Sequence, residues 1–158
     1  MPSLIRARVL RNGNWSPLFA ASVKPGVDAA AAGRVVLSEI MYHAAPPDAA
    51  EREAGFRDAD DFEYIELLNT SPAKVDLAHC RFRSGVEFVF PDRPRSILDP
   101  GERVVVVRNP EAFRRRHGDG PAVAGVYRGK LSNRGERLVL EAASGRTIQS
   151  VLFRTARP

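Results

Sequence analysis

The sequence predicts an all-β sandwich of about seven to nine strands with one short helix. Short apolar runs with alternating side chains recur along the chain, for example at residues 35–42 and 86–90. Turn signals separate these runs, such as Asn-Thr-Ser-Pro at 69–72 and Asp-Pro-Gly at 99–101. Their spacing is typical of an immunoglobulin-like sandwich, in which inward-facing residues of two sheets form one core.

Length, charge and cysteine content narrow the class of protein. A chain of 158 residues suits one domain with an appendage, and 44% hydrophobic residues are enough for a core. The net charge is +5, but only three of the 24 basic residues are lysine, a skew that coding bias produces by itself. The charge therefore gives only modest support to an anionic partner. The single cysteine, Cys80, excludes an internal disulfide and a cysteine-based zinc site.

Residues 1–24 are predicted to form a β-hairpin. The first half alternates in polarity, Asn12-Gly13 is a strong turn dipeptide, and Trp15 and Phe19 follow the turn. An isolated hairpin of this size is too small to be stable in water.

The main domain is expected at residues 35–155, after a linker at 25–34. The linker segment combines proline, glycine and alanine without apolar periodicity. The first two strands of the domain are predicted at 35–42 and 62–68, because both segments are β-branched and aliphatic. The acidic loop between them, 43–61, has the length of a functional or mobile loop, and a short helical turn is expected within it.

Pro110–His117 is the segment with the clearest helix signals. Asn109 can cap its start, Pro110 fits the first turn, and Gly118 ends it. Ala112 and Phe113 are then expected to face the core. The remaining extended segments are predicted at residues 74–77, 79–83, 86–90, 97–98, 103–107, 126–128, 137–141 and 146–153, and those that flank one bend or turn are not all counted as separate strands.

Four stretches carry a recognisable pattern. They read Phe-Glu-Tyr-Ile-Glu-Leu-Leu-Asn-Thr at 62–70, Asp-Leu-Ala-His-Cys at 76–80, Leu-Asp-Pro-Gly-Glu at 98–102, and Leu-Ser-Asn-Arg-Gly-Glu at 131–136. Together they resemble the lamin tail domain family, whose members are immunoglobulin-like sandwiches. The second stretch departs from the family pattern Asp-Leu-Ser-Gly-Trp, so Cys80 replaces a core tryptophan.

The resemblance implies a non-catalytic recognition or spacing module. In nuclear lamins the domain is linked with binding chromatin, DNA and proteins, and it is also common in bacterial extracellular and membrane-associated proteins. Similar hairpins close the domains that often precede it there. Residues 1–24 are then a remnant of such a domain, and Trp15 and Phe19, without their native partners, are candidates for self-association. The alternative is an extra hairpin that belongs to the main fold.

Acidic side chains around the second strand give one candidate site. Glu39, Asp61, Glu63 and Glu66 are weak candidates for Ca²⁺, because carboxylate oxygens suit hard cations. The interleaved aspartate pattern of a dedicated calcium loop is missing from the sequence. The favoured interpretation is an ion pair between Glu66 and an arginine, since a half-buried glutamate needs a partner. We therefore expect no metal and no other cofactor.

Arginines give a second candidate site, a contact with nucleic acid. The candidates are Arg81, Arg83, Arg114, Arg115 and Arg116. Three consecutive helical residues spread around the helix, and interleaved aromatic residues are missing, so a solvated surface is the favoured interpretation. The sequence also lacks a phosphate-binding glycine loop and any catalytic serine motif, so we expect a protein without enzymatic activity.

We therefore expect an interaction or spacer module of a larger exported bacterial protein that binds protein or cell-surface partners. Two alternatives stay open: a DNA-binding module, and a Ca²⁺-dependent adhesion or carbohydrate-binding domain. No segment has the length of a transmembrane helix, and the start of the chain lacks the pattern of a signal peptide. An extracellular or cell-surface location is expected for a piece of a longer protein, and a cytoplasmic one for a complete chain. A homodimer through the hairpin is a further expectation.

Overall fold

The computed structural model describes residues 3–8, 10–11, 13–15, 19–23, 26–92 and 96–154, and for the strands of residues 3–23 it describes the backbone alone. Within these ranges the chain forms fifteen strands, two α-helices and one 3₁₀-helix. The strands are β1 (Ser3–Ala7), β2 (Leu10–Arg11), β3 (Asn14–Trp15), β4 (Phe19–Val23), β5 (Val27–Ala29), β6 (Val35–Met41), β7 (Tyr64–Asn69), β8 (Lys74–Asp76), β9 (Arg81–Ser84), β10 (Phe88–Val89), β11 (Ile97–Leu98), β12 (Arg103–Val107), β13 (Val123–Val126), β14 (Glu136–Glu141) and β15 (Thr147–Phe153). The helices are α1 (Ala49–Glu53), the 3₁₀-helix (Ala59–Phe62) and α2 (Pro110–His117).

Two four-stranded sheets form the sandwich. The first has the strand order β13-β12-β7-β6 and is called the α2 sheet here, because α2 packs on it. The second has the order β10-β9-β14-β15 and is called the β14 sheet. A three-stranded sheet, β11-β8-β5, lies beside them in the same core. The prediction of an all-β, immunoglobulin-like fold is confirmed.

One apolar core joins the three sheets. The α2 sheet contributes Ile65 and Leu67 from β7, and the β14 sheet contributes Leu138 and Leu140 from β14, all with no exposed surface. These residues alternate along their strands, so one face of each strand is inside. Burial of each such side chain stabilises the fold by about 1.5–3 kcal/mol, which makes this core the main source of stability.

Helix α2 covers the outer face of its sheet. Phe113 packs with Tyr64, Val105 and Val107, whose side chains leave the sheet on the side away from the core. The helix connects β12 to β13, which pair in parallel, as a helical crossover allows. The predicted cap is present, because the Asn109 side chain accepts hydrogen bonds from the first turn.

The predicted linker at 25–34 requires a correction. Strand β5 lies within it and pairs in parallel with β8. Ala30 is buried in the main core, and Arg34 forms an ion pair with Asp28. The missing apolar periodicity reflects the shortness of β5, because three residues cannot display a period. The structure has more strands than predicted because several of its strands are only two or three residues long.

The N-terminal segment has the backbone of a hairpin. Strand β1 pairs antiparallel with β4, and β2 pairs with β3 around Gly13, where φ is +78°. The side chains of Trp15 and Phe19 lie outside the described part of the structure. The assignment of residues 1–24 to a preceding domain stays a prediction.

Candidate functional site

Glu63 is a buried carboxylate where β7 begins, and its side chain is 1% exposed. Its Oε2 accepts a hydrogen bond from the Tyr127 hydroxyl and another from the backbone N–H of Leu131, both at 3.0 Å. Burial raises the pKa of Glu63 above its usual value, and these two hydrogen bonds act against that shift. The carboxylate therefore ties the segment after β13 to the start of β7.

Two cations lie next to Glu63 and its neighbour Asp60. Arg108 Nη1 is 3.9 Å from Glu63 Oε2 and 3.9 Å from Asp60 Oδ2, and Lys130 Nζ is 3.0 Å from the same Asp60 oxygen. Among the described residues, the buried Glu63 Oε1 and Arg108 Nη1 have no hydrogen-bond partner. Because two basic groups already face the two acids, the cluster suits a structural ion-pair network better than a cation site.

Glu39 and Glu66 lie opposite each other on β6 and β7. The Tyr64 hydroxyl donates a hydrogen bond to Glu39 at 2.6 Å, and the Ser38 hydroxyl donates one to Glu66 at 2.6 Å. Arg103 Nε is 3.1 Å from the same Glu66 oxygen. The predicted ion pair of Glu66 with an arginine is confirmed, and Arg103 is the partner.

The structure does not bring the four metal candidates together as one ligand set. Asp61 accepts a long hydrogen bond of 3.4 Å from Asn109, away from the pair of Glu39 and Glu66. Glu63 is bound to Tyr127 and Leu131 instead. Within the described ranges, no three His, Cys, Asp or Glu side chains are placed to hold a metal ion.

Arg116 fastens the long acidic loop to α2. Its Nε and Nη2 donate to the two carboxylate oxygens of Glu51 at 2.9 and 2.7 Å, and its Nη1 donates to the carbonyl oxygen of Ala45 at 3.1 Å. The guanidinium carbon lies 3.5 Å from the centre of the Phe62 ring. The hydrogen bonds from Arg116 to Glu51, together with one from the backbone N–H of Asp48, lower the pKa of Glu51 to about 2 against the effect of burial. Arg116 therefore acts inside the domain, which corrects its assignment as a nucleic-acid candidate.

The other four candidate arginines lie on two separate elements. Arg81 and Arg83 are on β9 in the β14 sheet, and Arg81 binds Glu141 at 3.0 Å. Arg114 and Arg115 are on α2, which covers the opposite sheet. The predicted set of five is therefore not one surface, because the helix and β9 belong to different sheets of the sandwich.

Cys80 is a buried thiol in the main core and is 2% exposed. Burial raises its pKa to about 11, so the thiol stays protonated at neutral pH and is a poor nucleophile. Phe82 packs in the same core cluster as Cys80. His79, next to Cys80, lies at φ +62° in an exposed turn.

Two shallow clefts of the described structure have charged side chains in their lining. One, of about 360 Å³, lies between α1 and α2 beside the ion pair of Arg116 and Glu51. The other, of about 290 Å³, lies between β11, β12 and residues 119–122. Neither is lined by Ser, Cys or His, so neither presents a hydroxyl, thiol or imidazole nucleophile of those residue types.

Sequence reasoning missed two polar centres. Asn69 has no exposed surface, and the two N–H groups of its Nδ2 are shared among three backbone carbonyl oxygens at 2.8–3.0 Å, those of Ala73, Leu98 and Asp99. Its position at the end of a strand suggested only a turn. Glu51 forms a capping box with Asp48, and the spacing Asp-x-x-Glu was a sequence signal for it.

These observations define the class of protein, an immunoglobulin-like sandwich whose buried polar groups hold loops in place. A comparison with protein-family models matched the Lamin Tail Domain over residues 28–154. The chain therefore belongs to the lamin tail domain family, as its motifs predicted. The match begins within β5 and leaves out the N-terminal hairpin. A search of the curated proteins found no match. None of the described helices is long and apolar enough to cross a membrane.

Proposed function

We propose that this lamin tail domain is a non-catalytic interaction module of a larger exported bacterial protein, and that it binds a protein or a cell-surface partner. The observation that carries the proposal is the use of the polar groups. Glu51, Glu63, Asn69 and Arg116 all bind partners within the domain and hold its loops. Rigid loops on an apolar sandwich suit recognition, because a fixed surface loses little entropy when it binds.

Three ionisable side chains among the described residues, those of Cys80, Tyr127 and His117, lie in surroundings that do not activate them, which supports the non-catalytic part of the proposal. The Cys80 thiol is buried and protonated, and burial also keeps the pKa of the Tyr127 hydroxyl well above its usual range. His117 is stacked on Phe113 at 4.6 Å between ring centres, and burial lowers its pKa. A catalytic site needs such groups in a cleft at a matched pKa.

Binding to intact bacterial cells tests the proposal. Because Cys80 is buried, an Ala54→Cys variant of the full chain offers one accessible thiol for a fluorophore, at an exposed position beside α1. We expect saturable binding to the cells that excess unlabelled chain displaces. Binding that never saturates, or that unlabelled chain fails to displace, would contradict the proposal.

The two alternatives, a DNA-binding module and a Ca²⁺-dependent adhesion or carbohydrate-binding domain, stay predictions. Binding to duplex DNA over a salt titration distinguishes the first, since phosphate contacts give a steep decrease in affinity with salt. Calorimetry with Ca²⁺ distinguishes the second, since a real site releases or absorbs heat and raises the melting temperature.

Self-association through the hairpin is part of the same proposal. Strands β1 and β4 form a two-stranded sheet, which has two edges in the described structure. Unpaired edges favour pairing with a second chain. Light scattering on the full chain and on a Trp15→Ser variant tests this. We expect a dimer that the substitution weakens, and a monomer in both cases would refute it.

A further inference from the structure

The outer face of the β14 sheet carries exposed arginines and aliphatic side chains. Along β14, Leu138 and Leu140 are buried, so Arg137 projects from the opposite face. Along β9, Phe82 is buried and Arg83 is exposed. We call this surface the basic face and define it by Arg81, Arg83, Val89, Arg137, Val139, Glu141, Ser150 and Leu152.

The strand register places these side chains next to one another. Val89 of β10 is opposite Arg81, Arg81 is opposite Glu141, and Arg137 is opposite Leu152. Neighbouring strands lie about 4.8 Å apart and residues i and i+2 about 6.7 Å apart, so the three arginines fall within about 15 Å of one another. Val89 is 58% exposed and Leu152 is 49% exposed. The face is therefore a small basic patch with one exposed aliphatic residue on each edge strand, Val89 on β10 and Leu152 on β15.

Charge on this face is positive after its internal pairs are counted. Within the four strands Glu141 is the acidic residue that projects from this face, and Arg81 binds it through Nε and Nη2, both at 3.0 Å. The exposed Glu87 lies just before β10, two residues from Val89 and on the same side, so three arginines face two acids. Arg137 donates from Nη1 to the Ser150 hydroxyl at 3.1 Å, which fixes its direction and leaves its other donors available. Arg83 adds a further exposed guanidinium.

The two sheets differ in what covers them. The outer face of the α2 sheet is covered by α2, through Phe113 on Tyr64, Val105 and Val107. No described helix packs on the outer face of the β14 sheet, and neither described cleft lies on it. The basic face is therefore not covered by a described helix and holds neither of these clefts, so its complement is an extended surface and not a small molecule.

We propose that the basic face docks on an anionic lipid membrane. Arginines near a negatively charged bilayer are attracted to it, and exposed aliphatic side chains gain by contact with the acyl region. Single-stranded nucleic acid suits the face less well, because the face offers no aromatic side chain on which bases could stack. A DNA duplex would contact the arginines through its phosphates but would leave the exposed Val89 and Leu152 without an apolar partner. The inference names the cell-surface partner of the proposed function and therefore rests on that function.

Vesicle sedimentation with the full chain tests this. Vesicles of phosphatidylcholine with a minority of phosphatidylglycerol are compared with vesicles of phosphatidylcholine alone. We expect binding to the anionic vesicles only. The variant R83Q/R137Q should bind about 30-fold more weakly, since each arginine at an anionic surface contributes about a factor of five. The matched control R114Q/R115Q removes the same charge from α2 and should bind within about threefold of the native chain.

A second variant, V89S/L152S, keeps the charge and removes the aliphatic contact. We expect about fivefold weaker binding to the anionic vesicles and unchanged melting, because both side chains are exposed. Equal losses in R83Q/R137Q and R114Q/R115Q would overturn the proposal, since they indicate general charge attraction. Binding to a DNA duplex that R83Q/R137Q abolishes, without vesicle binding, would also overturn it in favour of nucleic acid.

The result on intact cells separates the two proposals. Binding to cells without binding to anionic vesicles refutes the lipid partner and leaves the proposed function intact. If the chain binds neither cells nor anionic vesicles, both the proposed function and the lipid partner are refuted. Thermal melting of each variant checks the fold, and the single variant R83Q, which replaces one exposed side chain, serves if the double variant melts early. We expect that single variant to bind the vesicles about fivefold more weakly.

Discussion

Replacement of Arg116 by methionine tests whether one side chain holds the acidic loop on the domain. Arg116 donates two hydrogen bonds to Glu51 and one to the Ala45 carbonyl oxygen. Methionine keeps an unbranched apolar side chain over the Phe62 ring but removes the charge and all three hydrogen bonds. The variant therefore isolates the polar part of the contact between α2 and the loop.

The expected cost follows from the burial of the pair. Removing one partner of a buried ion pair costs about 3–5 kcal/mol, because the other charge is left without compensation. The Glu51 side chain is 7% exposed and the Arg116 side chain is 22% exposed, so water can reach part of the guanidinium. We therefore expect Arg116→Met to lower the free energy of unfolding by about 3 kcal/mol, the lower end of that range. Arg116→Lys keeps a charge but not the bidentate fork, and about half of that loss is expected.

Urea denaturation and hydrogen exchange measure this loss on different scales. If loop and sandwich unfold together, the free energy of unfolding decreases by the full amount. If the loop opens locally, the amide of Ala54, which caps the end of α1 and donates to the Ala50 carbonyl oxygen, exchanges about 100-fold faster. The double variant R116M/E51Q should lose less than the sum of the single variants, with a coupling energy of about 2 kcal/mol.

The reasoning fails if Arg116→Met changes neither quantity. A free energy of unfolding within about 0.5 kcal/mol of the native value, together with unchanged hydrogen exchange in α1, would mean that the ion pair does not stabilise the loop on the domain. The control is Arg115→Met, one residue earlier on the same helix. Arg115 is exposed and makes only a 3.5 Å contact with the Ala50 carbonyl oxygen, so little change is expected.

Three further substitutions have expected outcomes. Gly135→Ala should destabilise the domain by about 3 kcal/mol in urea denaturation, because φ is +91° and a Cβ would lie 2.4 Å from the carbonyl oxygen of Phe153. Gly129→Ala, at the same φ but in open space, is the control and should cost only about 1 kcal/mol. His79→Gly should stabilise by about 0.5 kcal/mol, because a left-handed residue with a side chain is strained; a loss of stability there would contradict this. Glu63→Gln should flatten the decrease in stability with rising pH, measured by urea denaturation at several pH values.

Strand pattern and turn chemistry made most of the fold predictable. The apolar run of Arg103–Val107 predicted a strand, and β12 occupies these residues, between β13 and β7 in its sheet. Asn109 and Gly118 marked both ends of α2. Alternation and capping act over a few residues, so they are visible in one sequence. The parallel pairs of β12 with β13 and β5 with β8 depend on contacts between distant segments, and no local pattern encodes them.

The polar contacts were predictable only where one residue type required a partner. The need of Glu66 for an arginine was visible, because its strand position implied partial burial. That Arg103 supplies it follows from the register of β12 on β7, which the sequence did not give in advance. Arg116 was mistaken for a surface residue because three adjacent arginines look equivalent in sequence. The 43–61 loop packs on the side of α2 from which Arg116 projects, so Arg116 is the arginine that binds Glu51 and Ala45.

Opposite pKa shifts of two buried glutamates set the expected pH dependence of stability. The folded pKa of Glu51 is lowered to about 2 from 4.5, so its contribution is present above pH 4.5 and is lost as the pH falls toward 2. The folded pKa of Glu63 is raised above 4.5, so its contribution is present below that pH and is lost as the pH rises through the folded pKa. Together the two groups favour a maximum near pH 4.5. In Glu63→Gln the amide oxygen can still accept the hydrogen bonds from Tyr127 and Leu131, and the decrease on the alkaline side should shrink while the acid side is unchanged. An equally steep alkaline decrease in the variant would place its cause in another group.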